Sequence, residues 1–130
     1  MPKPKAAAVL YAKNLQRLAA FYARVSRLSF SRSTKDHVVL ESESFQLALV
    51  QIPEQIAESI EIQQPPVRRE NTAVKLVFFI ENIADVRAVV SDEGGELNPV
   101  EREWIFDGNR VCDGHDPEGN VFQFREIGVP

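Results

Sequence analysis

Apolar residues along this chain recur with two periods that alternate from segment to segment. Ala6 to Ala12 is a short apolar run flanked by Lys5 and Lys13, which predicts a buried strand. Leu15, Leu18, Tyr22 and Val25 then fall at helical spacing. Asn14 stands just before them, and its side-chain oxygen can accept a free first-turn N–H. Leu28 to Ser33, His37 to Glu41 and Phe45 to Ile52 predict three strands separated by polar breaks. A second series follows. Val74 to Ile80 predicts a strand, Asn82 a cap, and Ile83, Val86, Val89 and Val90 the inner face of a second helix, which Gly94-Gly95 ends. Strands are predicted around Glu103 to Phe106, Arg110 to Gly114 and Val121 to Glu126. Asp107-Gly108-Asn109 and Asp116-Pro117-Glu118-Gly119 read as the turns between them.

Both halves therefore read strand, helix, strand, strand, strand: an α+β chain with an internal βαβββ repeat. Residues 1–52 form one module and 73–130 the other. The polar stretch 53–72, with Pro65-Pro66, Arg68, Arg69 and Glu70, reads as the linker, with a helical turn around Ile56 to Ile60. Laying Asn14 on Asn82 pairs Ala7 with Lys75. Laying Phe45-Gln46-Leu47 on Phe122-Gln123-Phe124 pairs the two glutamines.

Strand parity assigns faces. Ala8, Leu10, Ala12, Phe45, Leu47, Leu49, Leu76, Phe78, Ile80, Phe122 and Phe124 suit the helix-covered side. The opposite side receives Ala7, Val9, Tyr11, Gln46, Ala48, Val50, Lys75, Val77, Phe79, Val121, Gln123 and Arg125. A few polar groups on an apolar wall suit a small-molecule pocket. The same pattern fits a half-covered strand face or a dimer interface.

Composition narrows the function classes. At 130 residues, 44% hydrophobic and 26% charged, the chain has the makings of one globular domain with a real core. Its net charge is −4 and its Lys and Arg are scattered, which speaks against nucleic acid as a partner. No run approaches a membrane span. The lone cysteine, Cys112, has no intrachain partner, and the short run at Ala6 to Ala12 reads as a strand rather than an export signal, so a cytoplasmic setting is expected. No Ser–His–Asp or Cys–His arrangement emerges.

The chain resembles the vicinal oxygen chelate superfamily, also called the glyoxalase/bleomycin resistance/dioxygenase superfamily. The resemblance rests on Ala12-Lys13-Asn14-Leu15 through Phe21-Tyr22, on Gly94-Gly95 after the second helix, and on Asp116-Pro117-Glu118-Gly119-Asn120 before the last strand, all in order with the repeat. It implies two βαβββ modules curled into a cupped, barrel-like mixed sheet with helices outside, a site in the cup, and commonly a homodimer. Enzymes of the family place a divalent metal on four equivalent strand positions. Here those positions are Ala7, Gln46, Lys75 and Gln123. Alanine has no donor, a lysine ammonium repels a cation, and two amide oxygens are weak ligands. The expectation is therefore no metal and no cofactor, with a small molecule held in the cup; drug or metabolite sequestration, as in the bleomycin-resistance branch, is one form of this. The alternative is a metal-dependent lyase or dioxygenase with atypical ligands, or a metal-free isomerase using Lys75 as acid or base.

The candidate ligand-facing residues are Tyr11, Gln46, Lys75, Phe79, Trp104, Gln123 and Arg125. Each has a structural alternative. The glutamines can satisfy each other or nearby backbone, Lys75 can pair with Glu41 or Glu126, and Trp104 can fill a core or an interface. Arg110 and Arg125 can form solvated ion pairs. Cys112 suits a small buried apolar position.

Overall fold

The computed structural model describes residues 3–128. Element order is β1 (Ala6–Ala12), α1 (Leu15–Val25), β2 (Ser29–Ser33), β3 (His37–Glu41), β4 (Phe45–Gln51), α2 (Glu54–Ala57), β5 (Leu76–Ile80), α3 (Ile83–Asp92), β6 (Glu96–Leu97), a 3-10 turn (Val100–Arg102), β7 (Trp104–Phe106), β8 (Asn109–His115) and β9 (Val121–Glu126). The strands form two mixed sheets, ordered β1-β4-β3-β2 and β5-β9-β8-β6, with β7 also on β8. Each sheet comes from one half of the sequence, and neither closes into a barrel. Among the described residues, no helix is long and apolar enough to cross a membrane.

The helices start where the asparagines put them. Asn14 Oδ1 accepts from Arg17 N at 3.1 Å, and Asn82 Oδ1 from Asp85 N at 2.9 Å. A strand residue in each half adds a second tie: Gln51 Oε1 accepts from Leu15 N, and Glu126 Oε1 from Ile83 N.

The helix-side residues of both sheets share one core with α1 and α3, including Leu47, Leu49, Phe78, Ile80, Phe122 and Phe124. Helix α1 belongs to both halves: Phe21 and Tyr22 pack their rings on Phe122, and Tyr22 on Phe78. The Asp116–Asn120 turn fastens the halves together. Buried Glu118 takes Lys13 N on one carboxylate oxygen and Asn14 N on the other, both at 2.8 Å. The linker is laid against the same turn. Arg69 N donates to Gly119 O at 2.9 Å, and a Cβ at Gly119, whose φ is +86°, would run into the Val67 carbonyl.

Three expectations change. The helical turn of the linker lies at Glu54–Ala57, earlier than Ile56 to Ile60, because Pro53 starts it. The second strand of the second half is not a single strand at Glu103 to Phe106. It is split: β6 pairs with Gly114 and His115, β7 with Asn109 to Val111, and the turn Val100–Arg102 loops out between them. That loop absorbs the longer connection. The repeat itself also needs a shift. Backbone pairing sets Gln46 opposite Ala7 but Gln123 opposite Val77. Counted from the equivalent ties Gln51 and Glu126, Gln123 corresponds to Ala48 and Gln46 to Val121. A shift of two residues keeps every side chain on its assigned face and separates the two glutamines.

Candidate functional site

The face of the second sheet turned away from the helices carries a continuous polar chain. Lys75 Nζ donates to Asp113 Oδ2 at 2.8 Å, and Gln123 Nε2 donates to Asp113 Oδ1 at 3.1 Å. Arg125 Nε donates to Gln123 Oε1 at 2.8 Å. The Arg125 guanidinium then lies 4.9 Å from the Phe106 ring centre and 5.7 Å from that of Phe79, within cation–π range. The chain exists because β8 and β9 are antiparallel and place Asp113 beside Gln123. Gln123 is 8% exposed and Lys75 lies at the solvent edge. The buried amide is satisfied on both sides, as burial requires.

This answers for Lys75, Phe79, Gln123 and Arg125, which share one surface. Trp104 is on β7 opposite Val111, on the same face and 41% exposed. Tyr11 and Gln46 lie on the first sheet. Tyr11 is exposed beside Val50. Gln46 Nε2 donates to Glu41 Oε2 at 3.3 Å, so its partner is a neighbour on its own sheet and not Gln123. Hydrogen bonding from the Lys5 ammonium, then from Ser31 and Gln46, holds the Glu41 carboxyl down to about 2. Cys112 is fully buried and burial pushes its thiol up, as suits a core residue. Arg110 lies 3.7 Å from both Glu103 and Glu126.

Asp113, Phe106 and Arg68 belong to this surface and are not among the candidates the sequence offers. Asp113 bonds to both Lys75 and Gln123. Its signal was present: counting back across the turn from Gln123 lands on it. Arg68 had none, since linker residues follow no period. Arg68 Nε donates to His115 Nδ1 at 2.7 Å, and its guanidinium also reaches Asn98 Oδ1. Burial, and then the Arg68 charge, lower the His115 pKa; this geometry requires the neutral ring with its proton on Nε2. A cavity of about 340 Å³ opens beside these groups, lined by Arg68, Arg69, Lys75, Asn98, Arg102 and Asp113 among others.

Three of the four positions that the resemblance assigns to metal ligands have no donor to give. Ala7 offers no donor atom, the Lys75 ammonium is spent on Asp113, and the Gln123 oxygen is spent on Arg125. Among the described residues, no three His, Cys, Asp or Glu side chains converge as a ligand set.

No family model and no curated protein matches the chain. Solved structures do. A glyoxalase/bleomycin resistance protein from Albidiferax ferrireducens T118 superposes with a TM-score of 0.68, over 96% of this chain and 98% of that one, at 14% identity. The chain has the vicinal oxygen chelate fold. A glyoxalase/bleomycin resistance protein/dioxygenase family enzyme from Burkholderia phytofirmans PsJN gives 0.67, covering 94% and 97% at 14% identity. The fosfomycin resistance protein FosX from Listeria monocytogenes gives 0.65, covering 99% and 97% at 14% identity. Likeness at this identity is one of fold, so activity has to be argued from this chain's own side chains.

Proposed function

We propose that the protein, a single domain of modules 1–52 and 73–130, binds a small, partly apolar molecule on the cup face of its second module without a metal, and acts by sequestering it. The polar chain Lys75–Asp113–Gln123–Arg125 carries this reading. It ties up Lys75 and Gln123, two of the four positions at which the resemblance places metal ligands, and the half-exposed rings of Phe79, Phe106 and Trp104 stand beside it. Polar groups fixed in place next to aromatic surface are what a small-molecule site uses. Calorimetric titration with Zn, Ni, Mn and Fe salts tests the metal-free part. No stoichiometric binding is expected. Binding of any of them at micromolar affinity would sink the reading and restore the metal-dependent lyase or dioxygenase.

The same faces support a homodimer. Val9 and Tyr11 on β1 and Val77 and Phe79 on β5 expose apolar surface away from the core, and exposed apolar surface of this amount commonly marks an interface. Sedimentation velocity at micromolar concentration is expected to give twice the monomer mass. A monomer there would overturn the pairing.

A further inference from the structure

The cavity between the linker and the second sheet has a charge opposite to that of the whole protein. Four cations line it, Arg68, Arg69, Lys75 and Arg102, against two carboxylates, Glu70 and Asp113, on a chain whose net charge is −4. Among the described residues, Lys75 is the one of these cations with an ion pair, to Asp113. Arg68 is held by neutral acceptors alone: the His115 ring, the Asn98 side chain and the Glu96 carbonyl. His115 and Asn98 are themselves buried, at 6% and 7% exposure, so the Arg68 fork is fixed from behind, and among the described residues no carboxylate pairs with it directly. Arg69 and Arg102 make no side-chain hydrogen bond or ion pair within the described residues. Like charges gathered around a concavity repel one another until an anion enters. Guanidinium groups are the side chains best shaped to take a carboxylate or phosphate on two oxygens.

We propose that this cavity is an oxyanion-binding site formed by Arg68, Arg69 and Arg102, so that the molecule held by the protein carries a carboxylate or a phosphate-type group. This rests on the reading of the cup as a binding site and names the ligand's charged end. The apolar body of such a ligand has Val74 and Val121 to lie against. The volume, about 340 Å³, stands at the small end of the roughly 300–1,000 Å³ of ligand pockets, which suits a small metabolite.

Phenyl phosphate, benzoate and phenol share a ring and differ in charge. Binding of each to the full chain is measured by NMR titration into the millimolar range. At least one anion is expected to bind about tenfold or more tightly than phenol, a difference of the size charge-assisted pairing supplies. Which anion gains more separates phosphate from carboxylate. The double variant Arg69→Ala/Arg102→Ala changes two exposed side chains and is expected to abolish the gain while leaving the unfolding midpoint in place. An anion advantage that is absent, or that survives the double substitution, overturns the inference. If phenol binds on the cup face and the anions gain nothing over it, the anion site falls and the metal-free binding reading stands. If calorimetry finds a tightly bound metal while the anions still need the arginines, the metal-free reading falls and the anion site stands.

Discussion

Asp116→Ala is expected to lower the free energy of unfolding by about 3–5 kcal/mol in denaturant melts. This carboxylate is fully buried inside the Asp116–Asn120 turn and is the acceptor for four donors. Oδ1 takes the Glu118 and Asn120 backbone N–H groups at 2.8 and 3.0 Å, and Oδ2 takes the Tyr22 hydroxyl at 2.7 Å and Asn120 Nδ2 at 2.8 Å. Truncation strands these donors in the interior. It also loosens Glu118, whose two oxygens hold the start of α1. Tyr22→Phe removes a single donor and is expected to cost about 1 kcal/mol. The double variant is expected to fall short of the sum, because both changes break the same bond.

The pH dependence of this site has a definite sign. Burial raises the Asp116 carboxyl above its ordinary value of 3.8, against the hydrogen bonds that lower it. The folded chain then holds the proton more tightly than the unfolded chain. Ionisation therefore works against folding. Wild type should gain stability relative to Asp116→Asn as pH is lowered from neutral toward 3.8, and the difference should level off below that value. A difference that is flat or slopes the other way would mean that the hydrogen bonds outweigh burial. Burial, and then Asp116 beside it, push the Tyr22 hydroxyl well above its usual range, so that group stays a donor throughout.

Phe122→Ala is expected to cost a further about 3–5 kcal/mol, by lost burial and the cavity left behind. The ring is fully buried where α1 of the first half meets the sheet of the second. It lies 4.8 Å from Phe124 and 5.7 Å from Phe21, centre to centre. The smaller truncation Phe122→Leu leaves less empty space and should cost less than the alanine change. If the alanine variant loses no more than the leucine one, the junction between the halves does not depend on this ring.

Much of this is legible in the sequence. Asn14 and Asn82 announced two helix starts, because capping uses a residue's own side chain on the N–H groups next to it. The two faces of β1, β4, β5 and β9 followed from parity, which holds even when the register is shifted by two. The Asp116–Asn120 turn followed from Pro117 and Gly119. The roles of those side chains did not: that Glu118 reaches the first half and that Asp116 accepts from Tyr22 depend on residues about a hundred positions apart.

For the candidate site the division is sharper. Local periodicity decided that Lys75, Phe79, Gln123 and Arg125 share one face of a sheet, since side chains alternate along a strand whatever lies beside it. The tertiary structure alone decided what they touch. Pairing between strands put Val77, not Lys75, opposite Gln123, and brought Asp113 of β8 between Lys75 and Gln123. The linker, which has no period to read, delivered Arg68 to His115 and built a cationic cavity on an acidic protein. Faces are set by the backbone's own geometry, but hydrogen-bond partners and fields are set by whichever distant segments folding brings within a few ångströms.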